Sequence, residues 1–335
     1  MSCCGPPTIL SERRDTLVSK CEIPIIDLGH MGTERCPQKG VLKQVASKLV
    51  RALSEKGAAF LVNHGIPECK IKAAYRAFDT FCELPKESRA KFERVPPCDH
   101  GYILPEADQY SSEEKESRHE FIVTSIDDAL PDEDVPSFRV AVNELTRDFK
   151  QLSAMLLTAL SIGIDQPPDY FVNKHANILD EGNESALRMM YYPPSCLDKG
   201  STKYGPCCDI GTFTLFAQDA EGGLEIQAPH SQRWGHVGHL PGAILVNSGE
   251  CLAKWTSQKL SPLKHRVVVP ENCRRGRHSI GFFVYPDENV VIDPLDIKIP
   301  IPIEEPVICR MQKKKRGVLN AYHHLQRRFR ETYAS

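Results

Sequence analysis

The sequence has no run of 18 apolar residues, so no transmembrane helix is expected. It has no basic-then-apolar leader, since Met1-Ser-Cys-Cys-Gly-Pro-Pro7 opens the chain, and no secretory signal is read there. It has little net charge, −2 from 42 Lys+Arg against 44 Asp+Glu, so no broad field favours nucleic acid or an anionic membrane. No basic stripe interleaved with aromatics marks a nucleic-acid surface, and no internal repeat is found. The thirteen cysteines form no paired framework. Odd in number and scattered, they point to reduced thiols in a cytoplasmic protein. Residues 1–20, which include Cys3-Cys4, read as a flexible polar lead rather than a lipid anchor.

What remains is a globular chain of 335 residues, 41% hydrophobic, long enough for one large domain or two ordinary ones. Ile23 to Leu28 is a short apolar run bounded by Pro and Gly, a strand. Val41, Val45, Leu49 and Leu53 recur every four residues and predict a helix over 41–56, ended by Gly57. Ala58–Val62 reads as a buried strand, followed by a turn at Asn63-His-Gly-Ile-Pro67. There His64 reads as a structural hydrogen-bonding residue rather than a metal ligand. Helices are predicted over 69–84 and 86–92, then an irregular segment at Pro96-Pro97. Phe138, Val142, Leu145, Phe149, Leu152, Leu156 and Leu160 hold one face of the longest helix, 137–163, with Gly163 as its cap.

From Ala186 the period changes. Short strands are predicted at 187–192, 213–218, 224–227, 243–247, 266–269 and 279–285, separated by Gly, Pro and Asn, the mark of a closed or two-sheet β architecture. A helix returns at Tyr322–Phe329, and Lys313-Lys-Lys-Arg316 reads as a solvated helix start. The expected organisation is mixed α+β. A lead (1–20) precedes an N-terminal α/β extension (21–125), a long helix and its connection (126–185), a jelly-roll core (186–295) and a helical tail (296–335).

The chemistry concentrates between Tyr192 and Ser279. Two ligands one residue apart on a strand point to the same face. Cys207 and Asp209 have that spacing, and His265 stands on a later strand. Three such donors on one side of a metal leave its opposite positions open for O₂ and a chelating 2-oxoacid, as in the two-histidine, one-carboxylate iron sites. A chelating 2-oxoacid needs a fixed cation for its far carboxylate, and arginine's planar fork suits it. Arg277 and Ser279, two apart, share a face, and the phenol of Tyr192 completes the grip.

The chain resembles the 2-oxoglutarate/Fe(II)-dependent dioxygenase superfamily, in the branch that includes isopenicillin N synthase and the plant oxidases. The resemblance spans about residues 22–290. It rests on Ile23-Pro-Ile-Ile-Asp27, Gly57-Ala-Ala-Phe60, Asn63-His-Gly-Ile66, Gly211-x-x-Thr214-Leu215, Gly223-Leu224, Pro241-Gly242, Asn247-Ser-Gly249, Trp255-Thr256, His265-Arg-Val267 and Arg277-x-Ser279. It implies a double-stranded β-helix (jelly roll) flanked by helices, with Fe(II) at Asp209 and His265. It also implies 2-oxoglutarate bound at Arg277, Ser279 and Tyr192, and oxidation of a small organic substrate. The expected protein is a monomer with no nucleic-acid or membrane partner.

Two positions depart from the pattern. Met190 stands where the branch has the Asn of Asn-x-Tyr, and Cys207 stands where it has the proximal histidine. Cysteine there gives a Cys/Asp/His set with two anionic ligands, which suits Zn(II) as well as iron. Two functions therefore stay open: oxidation at iron held by Cys207, Asp209 and His265, or a catalytically impaired relative kept for binding a small acid or for a structural role. Strand alternation turns Cys208 away from the metal. The substrate is not legible, nor is the choice among hydroxylation, desaturation and ring closure.

Overall fold

A computed structural model of the protein describes residues 23–32, 39–95, 99–103, 118–193, 202–227, 233–268, 276–297 and 320–333. The lead, the Pro96-Pro97 segment and the Lys313–Arg316 run lie outside these residues.

Two sheets are formed. β1 (Ile25–Asp27), β2 (Ala58–Val62), β3 (Gly101–Ile103), β4 (His119–Val123), β5 (Ala186–Tyr192), β7 (Phe213–Gln218), β10 (Ile244–Ser248) and β12 (Arg277–Val284) make the larger one, in the order β1-β2-β10-β7-β12-β5-β4-β3. β6 (Thr202–Cys208), β8 (Leu224–Gln227), β9 (Trp234–His236) and β11 (Lys264–Val268) make the smaller one, in the order β6-β11-β8-β9. Both edges of the larger sheet come from the N-terminal third of the chain: β1 and β2 join beside β10, β3 and β4 beside β5. The arrangement is the jelly-roll core with an α/β extension grown into its main sheet.

Helices α1 (Lys39–Lys56), α2 (Glu68–Glu83) and α4 (Phe138–Gly163) flank the core, with short α3 (Lys86–Ala90) and α5 (Glu250–Trp255) and terminal α6 (Ala321–Tyr333). All seven apolar positions predicted along α4 are buried, and Phe149 stacks on Phe282 of β12 at 5.6 Å between ring centroids. On α1 the buried stripe runs through Leu42, Val45, Ala46, Leu49 and Leu53, while Val41 is 40% exposed. The periodicity holds, and its first member is displaced by one residue. Gly57 ends α1 as expected, at φ 73° with its N–H on the Leu53 carbonyl. Gly163, expected as a cap, is the last helical residue. A Cβ there would stand 2.8 Å from the Ala46 carbonyl oxygen and 2.5 Å from Val50 Cγ2, so the glycine serves the close approach of α4 to α1.

The register assigns the faces. On β12, Ile280, Phe282 and Val284 are fully buried in the main apolar core. Arg277 and Ser279 alternate with that set and face the smaller sheet. Arg277 pairs with Tyr192 of β5, and Ser279 with Gln218 of β7. Between the sheets a second apolar cluster joins Phe60 and Leu245 of the larger to Leu224 and Ile226 of the smaller.

Candidate metal centre and acid anchor

β6 and β11 run antiparallel, and His265 is the direct Cα partner of Cys207. The predicted strand over 266–269 begins two residues earlier, at Lys264, which puts His265 inside the ladder. Cys207 Sγ lies 3.5 Å from His265 Nε2, and Asp209 Oδ1 lies 3.7 Å from the same nitrogen. The three predicted ligands are thus together, and the sulfur faces the imidazole rather than apolar packing.

Two of the three donors are oriented from behind. His265 Nδ1–H donates to the Leu263 carbonyl at 3.1 Å, which aims Nε2 at the other two groups. Asp209 Oδ2 accepts from Thr214 Oγ1 at 2.6 Å and from Asn247 Nδ2 at 2.7 Å, leaving Oδ1 toward His265. These two residues come from β7 and β10, so the carboxylate ties the smaller sheet's rim to the larger sheet. Cys208 pairs with Lys264 instead, and burial, with nearby Cys207 and Asp209, pushes its thiol up to about 12.

Burial pushes the His265 imidazole down, but Cys207, Asp209 and the Leu263 carbonyl outweigh it and raise it to about 10. The site therefore stabilises positive charge at the imidazole edge, which a divalent cation supplies more fully than a proton. A metal bound to nitrogen, oxygen and sulfur at roughly 2.0–2.3 Å spreads its donors about 3.0–3.6 Å apart. The sulfur–nitrogen pair fits at 3.5 Å, and the nitrogen–oxygen pair, at 3.7 Å, is wider by a few tenths of an ångström than two such donors on one tetrahedral metal. Among the described residues no group of three His, Cys, Asp or Glu side chains is placed to hold a metal ion. In kind, a thiol, a carboxylate and an imidazole are donors that suit a divalent metal.

Arg277 is 1% exposed. Its Nε donates to the Gly222 carbonyl, Nη1 to Ser279 Oγ at 3.0 Å and Nη2 to Gln218 Oε1 at 3.4 Å, and it lies 5.2 Å over the Tyr192 ring. All three acceptors are neutral, and among the described residues no carboxylate pairs with it. A buried guanidinium left uncompensated is costly unless an anion joins it, so the pocket fits an acid ligand. A Cβ on Gly223 would meet the Val268 carbonyl oxygen at 2.7 Å and Arg277 Nε at 3.2 Å, so the glycine at φ 89° opens the channel for the side chain.

His64 is the structural residue expected. Its Nε2–H donates to the Gly242 carbonyl at 3.0 Å and its Nδ1 accepts from the Ile66 N–H at 3.1 Å, a neutral ring with both nitrogens spent. Sequence pattern assigns no role to Gln218, nor a carboxylate-holding role to Thr214 and Asn247, although the last two stand in quoted motifs. Their partners lie across strands, where spacing along the chain carries no signal.

A double-stranded β-helix whose main sheet is extended by an N-terminal α/β unit is the fold of the non-haem dioxygenases. The model for the 2OG-Fe(II) oxygenase superfamily matches residues 183–286, and that for the N-terminal region of the non-haem dioxygenase in morphine synthesis matches 23–140. Proline hydroxylase buaE of Petromyces alliaceus is 30% identical over 311 residues, covering 85% of this chain and 92% of that protein. The 2-oxoglutarate-Fe(II) type oxidoreductase ppzD of Metarhizium rileyi is 26% identical over 314 residues, covering 85% of each. A full-length Neurospora crassa protein, solved in complex with alpha-KG and thymine, shares the fold at a TM-score of 0.76 and 20% identity, over 95% of this chain and all of that one. The chain belongs to the 2OG-Fe(II) oxygenase superfamily, a family of 2-oxoglutarate-dependent dioxygenases that use Fe(II).

Proposed function

We propose that Cys207, Asp209 and His265 hold Fe(II), that Arg277, Ser279 and Tyr192 hold the distal carboxylate of 2-oxoglutarate, and that the protein oxidises a small organic molecule. Bound iron supplies the redox chemistry by which a 2-oxoacid and O₂ oxidise such a substrate. The chain's own part is to bind and orient. Asp209 and His265 are fixed by Thr214, Asn247 and Leu263, so the open side of the centre keeps one direction. Arg277 sets the far end of the acid, and with it the approach of the 2-oxo group.

The observation that carries the reading is Arg277 itself: a cation 1% exposed, held among the described residues by neutral acceptors only, on the face of β12 opposite its apolar core face. In this reading residues 186–295 carry the site and 21–125 the extension, and the monomer acts in the cytoplasm. In support, all five described cysteines are free, and among the described residues no helix is long and apolar enough to cross a membrane.

The test follows succinate from labelled 2-oxoglutarate with Fe(II) and O₂. Formation above the metal-free control, lost in Arg277→Met, is the expected result. One specific feature, the sulfur at position 207, favours a second reading in which the acid is bound and nothing is oxidised. A natural protein that makes no succinate beside a Cys207→His variant that does would establish that second reading.

A further inference from the structure

Gln218 and Asp219, at the end of β7, face Arg277 and His278 on β12, and the two pairs sort by charge. Outward, Asp219 Oδ2 accepts from the backbone N–H of His278 at 2.5 Å and stands 3.3 Å from its Nδ1. Inward, the neutral Gln218 amide meets Arg277. A one-residue exchange of these two acceptors would set a carboxylate on Arg277 and cancel the charge that the pocket otherwise keeps for its ligand.

The Gln218 amide has one usable orientation. Its Nε2 donates to the Val237 carbonyl at 3.0 Å, so Oε1 is turned to Arg277 Nη2. The backbone carbonyl of Gln218 is in turn held by His239 Nδ1–H at 3.1 Å. Guanidinium has five N–H donors. Gly222, Ser279 and Gln218 take one each from Nε, Nη1 and Nη2. Among the described residues that leaves one N–H on each terminal nitrogen, two donors available to a carboxylate.

We propose that Gln218 is a positioning residue for acid binding: a neutral acceptor that fixes which edge of Arg277 faces the ligand and leaves its charge intact. This rests on the reading of Arg277 as the 2-oxoglutarate anchor. Gln218 makes the 2-oxoacid site selective for a second, distal carboxylate, because it acts only on the group that binds that carboxylate.

The test is calorimetric titration of the full chain, supplemented with Co(II), using 2-oxoglutarate and pyruvate. Pyruvate has the same 2-oxoacid head and no distal carboxylate. Gln218→Met, which removes the acceptor beside a largely apolar cavity lined by Phe60, Phe216, Leu240 and Leu245, is expected to weaken 2-oxoglutarate about tenfold and leave pyruvate unchanged. Gln218→Glu, nearly isosteric, places an anion on Arg277 and is expected to weaken 2-oxoglutarate at least a hundredfold, again sparing pyruvate. If Gln218→Met does not fold, Gln218→Glu decides alone. Wild-type affinity for 2-oxoglutarate in Gln218→Glu, or a parallel loss of pyruvate, overturns the proposal. An Arg277→Met variant that binds 2-oxoglutarate as the wild type does overturns instead the underlying reading of the anchor.

Discussion

The sulfur of Cys207 lies 3.5 Å from Nε2 of His265, and their Cα atoms are direct partners across β6 and β11. The position where the branch has a histidine therefore still aims a sulfur at His265, and Asp209 Oδ1 lies 3.7 Å from the same nitrogen. A sulfur there is softer and more anionic than an imidazole, which would change the preferences of a metal held there.

The carboxylate of Asp209 depends on its two orienting donors. Asn247→Ala removes the bond to Oδ2 at 2.7 Å and leaves the one from Thr214. Losing such an outer partner costs roughly 10–100-fold in metal affinity. Calorimetric titration with Co(II) should show the dissociation constant rising within that range. An unchanged constant would contradict the role of Asn247 in orienting Asp209 for the metal.

Gly163→Ala should destabilise the fold. Alanine in a helix gains about 1 kcal/mol over glycine, but the added Cβ meets a backbone oxygen of α1 at 2.8 Å that cannot swing away. Overpacking of this kind costs typically about 1–3 kcal/mol, and the backbone contact puts this site at the upper end. A net loss of about 1–2 kcal/mol is expected in urea unfolding. A variant as stable as the wild type would show that α1 and α4 are not packed this closely.

His278 should make stability fall on the alkaline side. Burial pushes its imidazole down, yet Asp219 at 3.3 Å and Asp79 of α2 at 2.5 Å raise it to about 9, while it stacks on Tyr191 at 4.5 Å. A folded value above the unfolded one near 6.5 contributes stability that is complete below about pH 6.5 and is lost as pH rises through about 9. Asp79 is 39% exposed, so solvent screening leaves about 1–2 kcal/mol of it. Melting curves at about pH 6.5 and about pH 10 should show the wild type losing more stability than His278→Gln by that amount. Equal losses in the two proteins would contradict the pairing.

Much of this is legible in the sequence because apolar runs and periodicity report burial directly. The strands over 58–62, 213–218 and 224–227 match to the residue, and α4 matches with its whole buried face. β6 is not delimited by pattern, since Gly205-Pro206-Cys-Cys carries no strand signal, and its pairing with β11 holds it in place. α5 is six residues long, too short for a period to register. β12 starts two residues before its apolar run because it begins with Arg277 and His278, polar residues kept in the sheet by partners on β7 and α2. The proposed ligands are legible as candidates from i, i+2 spacing. The groups that orient them are not, because Gln218, Thr214 and Asn247 act across strands and register is written in no local pattern.

The most direct test of the centre is optical. Titrating the protein with Co(II) should give one site per chain and a near-ultraviolet sulfur-to-metal charge-transfer band. The band is expected to be lost in Cys207→Ser and kept in Cys208→Ser. Cobalt bound without the band, or a band that survives Cys207→Ser, would contradict the assignment of Cys207 as a ligand beside Asp209 and His265.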